Sequence, residues 1–175
     1  MILTMRLLDS TSVSLWLLVL SLACFASNVD PHLTIETKSG TVHGFINATT
    51  PAVRQFLGIS FAEPPLGSLC FAPPKVKGSR GPIDATRFGK SCFQRLSNEP
   101  SIYSVEPEYL INGGQSEDCL FINVWTPLQD PKKGKLPVFV YIPGGGFASG
   151  GANSRYKIPD QWIERTQGHI VVIMK

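Results

Sequence analysis

The chain has 175 residues, enough for one domain with a substantial core. Its 43% hydrophobic and 17% charged content excludes an intrinsically disordered polypeptide. The net charge is +3 and no basic run exceeds Lys132-Lys133, which argues against a nucleic-acid partner.

Arg6 precedes an apolar run from Val13 to Phe25, and Cys24-Phe25-Ala26 ends in small residues at the positions a signal peptidase inspects. Residues 1–26 therefore read as a secretory signal peptide cleaved near Ala26. The run is shorter than the ~20 residues a spanning helix needs, so no stable membrane anchor is expected and the product is expected to be extracellular. The mature part, 27–175, keeps Cys70, Cys92 and Cys119, an odd set in a compartment that permits disulfides. Asn47-Ala48-Thr49 is a glycosylation sequon.

Leu33 to Thr37 and Thr41 to Ile46 are two short β-type runs around Lys38-Ser39-Gly40 and predict a hairpin. Val53 to Ile59 is a third strand candidate. The prolines and glycines of Gly58 to Gly67, then Pro73-Pro74 and Gly81-Pro82, predict irregular but ordered backbone. Between Cys92 and Cys119 lies a long polar segment without periodicity. A loop of that length is uncommon unless functional or stapled, and a bridge between these two cysteines would staple it. Leu120 to Pro127 is a further strand.

The stretch from Val138 to Phe147 organises the second half of the chain. Val138 to Ile142 reads as a buried strand, followed by Pro143 and then Gly144-Gly145-Gly146. Side-chain-free residues at a strand end let backbone N–H groups approach a ligand, as an oxyanion hole requires. A bare glycine run is more often a plain turn. A phosphate loop would need Lys-Ser or Lys-Thr where Phe147-Ala148-Ser149 stand, and a dinucleotide fingerprint fails at Ser149. Pro159 can start a helix and Gly168 can end it, with Trp162 and Ile163 toward the core. Ile170 to Met174 lacks alternation, the pattern of a strand covered on both faces of a parallel sheet. The order predicts an α/β fold: a small antiparallel N-terminal sheet leading into a central mixed, mostly parallel sheet.

Separated motifs then agree. Glu117-Asp118-Cys119-Leu120-Phe121-Ile122-Asn123-Val124-Trp125-Thr126-Pro127 resembles the second signature of the type-B carboxylesterase/lipase family at every position. Gly58 to Gly67 is similar to that family's Gly-Ile-Pro-Tyr-Ala-Glu-Pro-Pro-Leu-Gly segment, and Gly144 to Phe147 to its oxyanion loop. The 92-to-119 cysteine spacing fits its first disulfide loop. The resemblance runs from about Leu33 to the last residue. It implies the N-terminal part of an α/β-hydrolase fold and a serine acyl-enzyme mechanism on small-molecule carboxylic esters. It implies no cofactor and no metal, and it makes Gly145 and Gly146 oxyanion donors.

The chain departs from the family pattern in three places. No Gly-x-Ser-x-Gly elbow occurs in the 175 residues, so the triad is expected beyond Lys175 and the chain is read as a fragment. His32, His43 and His169 are expected to make ordinary contacts. Pro143 stands where many relatives carry histidine. Cys70 replaces an arginine that could pair with Glu117. Tyr109 could supply an aromatic wall. The alternative is a non-catalytic esterase-like binding or adhesion module. The chain alone is expected to be inactive and poorly stable, with the last strand lacking a neighbour. Oligomeric state is not legible.

Overall fold

The structure, a computed structural model, describes residues 31–175 apart from 79–80, 96–99, 112, 132–133 and 147. The segment read as a signal peptide lies outside the described residues.

The predicted hairpin forms from β1 (Thr34–Thr37) and β2 (Gly40–His43), paired antiparallel from Thr34 opposite His43 to Thr37 opposite Gly40. Two features differ from expectation. First, the second run does not continue to Ile46. It breaks at Gly44, where a Cβ would lie 2.5 Å from the Gln55 carbonyl oxygen, and Phe45–Asn47 becomes β3 of a different sheet. Second, the small sheet is mixed rather than antiparallel. Ile83–Asp84, in the stretch read as irregular, is β5 and pairs parallel with β2.

The larger sheet contains β3, β4 (Thr50–Ser60), β6 (Phe121–Pro127), β7 (Val138–Tyr141) and β8 (Ile170–Met174) in the order β3-β4-β6-β8-β7. The expectation of a mostly parallel sheet is corrected over these residues. β3–β4, β4–β6 and β6–β8 are antiparallel, and only β7–β8 is parallel. Parallel neighbours need a crossover of a dozen or more residues. The β7–β8 connection supplies one, through the helix α2 (Asp160–Thr166). A bulge between Phe56 and Ile59 bends β4, and the Gly58 N–H released there donates to Asn123 Oδ1 at 2.8 Å.

α2 begins after Pro159 as expected. It ends at Thr166 and is capped by Gln167 rather than Gly168, with Gln167 in the left-handed region at φ 50° and its N–H donating to Ile163 O. Only one of the two expected core residues is buried. Ile163 is 0% exposed and packs with Val53, Leu57, Trp125, Val171 and Ile173, whereas Trp162 is 47% exposed against Phe139 and His169. Adjacent residues on a helix point about 100° apart, so a single packed face takes one and leaves the other at its rim.

The burial of the last two strands also differs from the reading. β8 alternates, with Val171 and Ile173 buried and Ile170, Val172 and Met174 half-buried. It has a neighbour on each side, β6 and β7. Among the described residues the edges of this sheet are β3 and β7, and Val138, Phe139 and Val140 of β7 are exposed rather than buried. An apolar run records hydrophobicity and not what lies against it, which is why the two cases look alike in sequence.

Polar groups inside the sheet are paired. Trp125 Nε1 donates to Gln55 Oε1 at 3.2 Å, and Gln55 Nε2 donates to Thr50 Oγ1 at 3.3 Å. Buried Arg54 donates through Nε to Pro127 O at 2.9 Å and forms an ion pair with Asp130 at 3.0 Å. Each leaves a buried donor with an acceptor, avoiding a penalty of about 1–3 kcal/mol.

Candidate active site

β7 delivers the glycines. Past Tyr141 the chain runs through Ile142 and Pro143 and turns at Gly144-Gly145-Gly146, at the carboxyl end of a strand paired parallel to β8. That end of a parallel strand is where ligands of open α/β sheets sit. The turn closes on one carbonyl: Gly145 O accepts from the N–H of Ala148 at 3.0 Å and of Ser149 at 3.1 Å. The Ser149 carbonyl oxygen then lies where a Cβ on residue 145 would be, 1.4 Å from the ideal position. Any side chain at 145 would force the turn open, so glycine there is dictated by backbone packing. Gly146 has φ 60°.

Among the described residues, neither the Gly145 nor the Gly146 N–H donates to another group. Both residues are exposed. A groove of about 340 Å³ is lined by Ser60, Lys77, Asp84 and Asp118, and a much smaller cavity lies between Ser91, Asn123 and Lys175. The glycines line neither. Among the described residues β7 is an edge strand of the larger sheet.

Behind the turn the backbone is held by polar side chains that the sequence reading did not single out. Gly150 donates its N–H to Gln94 Oε1 at 2.6 Å, and Gln94 Nε2 donates to Gly150 O at 2.9 Å. Lys175 Nζ also donates to Gly150 O, and Lys157 Nζ donates to Gly151 O at 3.3 Å. Ser91 Oγ bonds Asn153 Oδ1 at 3.0 Å, and Asn123 Nδ2 donates to Ala152 O at 3.3 Å. Burial, with a smaller contribution from the Lys157 charge, holds the Lys175 ammonium pKa below its ordinary value.

The disulfide joins Cys92 to Cys119 as expected, at a separation of 27 residues, and Cys70 is a free, exposed thiol. The segment it closes is not wholly structureless. It holds a four-residue helix, α1 (Ile102–Val105), with a capping box between Ser101 and Ser104. Tyr109 is half-buried. Its ring stacks edge-on to Tyr103 at 5.2 Å and leans on Tyr156 at 4.9 Å. Glu117 is exposed to water, and among the described residues it forms no ion pair.

Two of the histidines make side-chain contacts with threonines: His43 Nδ1 with Thr34 Oγ1 at 3.1 Å and His169 Nδ1 with Thr166 Oγ1 at 3.3 Å. The carbonyl of His32 accepts from Arg54. Asn47 Oδ1 accepts from the N–H and the hydroxyl of Thr49, both at 3.0 Å, so the sequon folds as a tight turn between β3 and β4.

A mixed sheet with its glycine turn at the tip of a parallel strand, backed by one disulfide loop, defines an α/β protein. The sequence comparisons give the family. The carboxylesterase family profile matches residues 31–175. The chain is 51% identical over 147 residues to the chlorogenic acid esterase of Aspergillus niger, covering 81% of this chain and 28% of that protein. It is 36% identical over 155 residues to secreted lipase 5 of Gibberella zeae, covering 80% and 29%. It is 34% identical over 166 residues to the cholinesterase of Mus musculus, covering 94% and 27%. The chain belongs to the carboxylesterase family, and that membership implies the α/β-hydrolase fold. It spans under a third of the length of these relatives.

Proposed function

We propose that this chain is the N-terminal, oxyanion-bearing part of a secreted carboxylic ester hydrolase that works through a serine acyl-enzyme. The observation that carries the reading is the pair of unengaged amides at Gly145 and Gly146, at the end of β7, in a chain of this family. When a nucleophile attacks an ester carbonyl, negative charge moves onto the carbonyl oxygen. Two preorganised N–H donors stabilise that oxygen more than the neutral ester, and each is worth about 10²–10³ in rate. Pro143 has no N–H to add and stiffens the approach to the turn. The nucleophile, histidine and acid are expected outside these 175 residues. The segments that carry them would also wall the turn off from water.

The test is hydrolysis by the full-length gene product. Chlorogenic acid is the first substrate to try, given the similarity to a chlorogenic acid esterase, with a short-chain aryl ester beside it. Turnover blocked by a serine-directed phosphonate is expected. A full-length product that has the serine elbow and hydrolyses neither ester would refute the reading. Residues 1–175 alone are expected to show no turnover. Secretion and the Asn47 glycan are tested together: the secreted protein should begin near residue 27 and lose mass at Asn47 on deglycosylation.

A further inference from the structure

The glycine turn needs a fixed orientation, and its own contacts give little: the two hydrogen bonds onto Gly145 O close the turn without tying it to the body of the protein. The tie is made at Gly150. Gln94 meets both backbone polar groups of that residue, its Oε1 accepting from the N–H at 2.6 Å and its Nε2 donating to the carbonyl at 2.9 Å. This is the pairing one residue of an antiparallel ladder offers its partner, made here by a side chain. Gly150 in turn abuts the start of the turn. It has φ 132°, and a Cβ there would stand 2.7 Å from Gly144 O.

Gln94 is itself held at several points. Its Nε2 also donates to Cys92 O at 3.1 Å, and its own N–H donates to Gln115 Oε1 at 2.8 Å. Ser91 N–H donates to Gly114 O at 3.1 Å, and Ser116 N–H donates to Ser91 O at 2.8 Å. The Cys92–Cys119 bridge locks the same two segments together covalently. The chain of contacts runs from disulfide to Gln94, from Gln94 to Gly150, and from Gly150 to the glycine turn.

We propose that Gln94 is a positioning residue of the glycine turn: its amide clamps both polar groups of Gly150, with Lys175 Nζ on the same carbonyl, and so fixes where the Gly145 and Gly146 N–H groups point. The consequence for catalysis rests on the esterase reading above, while the clamp itself does not.

The experiment uses the full-length gene product, with Gln94→Met, which keeps the length of the side chain and loses all three of its bonds, two to Gly150 and one to Cys92 O, and Gln94→Glu, which keeps the acceptor for Gly150 N–H and loses both donations. The first readout is amide hydrogen exchange at Ala148, Ser149 and Gly150. Exchange about tenfold faster in Gln94→Met, smaller in Gln94→Glu, with the β4–β6 ladder unchanged, is the expected result. Unchanged exchange at the three amides overturns the clamp. Acceleration spread equally over the β4–β6 ladder also overturns it, since Gln94 would then act on global stability. The second readout is ester hydrolysis. A fall in kcat of roughly tenfold to a hundredfold in Gln94→Met, with KM held and partial recovery in Gln94→Glu, is expected of misplaced donors. A raised KM with kcat held would overturn the positioning role. If the unsubstituted protein hydrolyses no ester, the functional reading fails, and the exchange readout alone decides the clamp.

Discussion

Opening the Cys92–Cys119 bridge should cost a large share of the stability. The double substitution Cys92→Ala with Cys119→Ala removes a cross-link between residues 27 apart. Loop entropy for that separation gives about 3.5 kcal/mol at 25 °C in the chain-entropy account. The native contacts of the two segments do not depend on the sulfurs. Ser91 and Ser116 keep their backbone bonds, and Gln94 keeps Gln115. The loss therefore falls on the unfolded ensemble, which gains freedom, and the folded state keeps its ladder. Urea unfolding followed by tryptophan fluorescence measures it, since Trp125 is fully buried. The stability in water should fall by about 3.5 kcal/mol, with the slope rising because the unfolded chain, freed of its cross-link, exposes more surface. A loss under about 1 kcal/mol would refute the reasoning, because the loop would then be closed by its other contacts even when unfolded.

Three further outcomes follow from the packing and charge. Ile163→Ala should destabilise by about 2–5 kcal/mol, and Trp162→Ala by under about 1.5 kcal/mol, as one is buried in the core and the other lies at its rim; thermal unfolding of the two variants compares them. The Asp84 carboxyl is held below its ordinary pKa of 3.8, first by the Thr86 hydroxyl and then by the Thr86 backbone. A depressed carboxylate stabilises the fold above its unfolded pKa, and that contribution is lost as pH falls below 3.8 through the folded value. Thr86→Val should move the Asp84 titration, followed by NMR, back up toward the ordinary value, with little change in stability because the group is exposed. Val140→Lys on the open edge of β7 should reduce concentration-dependent light scattering by residues 31–175, and unchanged scattering would show that this edge does not drive association.

Much of the sheet was legible because its strands carry local signals. The β1–β2 hairpin follows from Gly40 between two short β-branched runs, and β6 from a β-branched and aromatic stretch, broken only by Asn123 and Thr126, that closes at Pro127. Beyond that hairpin, direction was not legible. Whether neighbouring strands run parallel depends on the path between them, and only β7–α2–β8 announces its crossover. Burial was not legible either. Val138 to Val140 and Ile170 to Met174 are equally apolar, yet one is an exposed edge and the other lies between two strands. The glycine turn was found because glycines are conspicuous. Gln94 was not, because a single glutamine in an aperiodic polar loop carries no periodicity. Its role appears only when Gly150, 56 residues away, folds against it.

The central claim concerns two amide protons. In full-length protein carrying ¹⁵N-glycine, with a phosphonate ester bound covalently to the nucleophilic serine as a mimic of the tetrahedral intermediate, the Gly145 and Gly146 amide proton resonances should both move strongly downfield as the phosphoryl oxygen accepts their hydrogen bonds. Occupied serine with both resonances unmoved would contradict the claim.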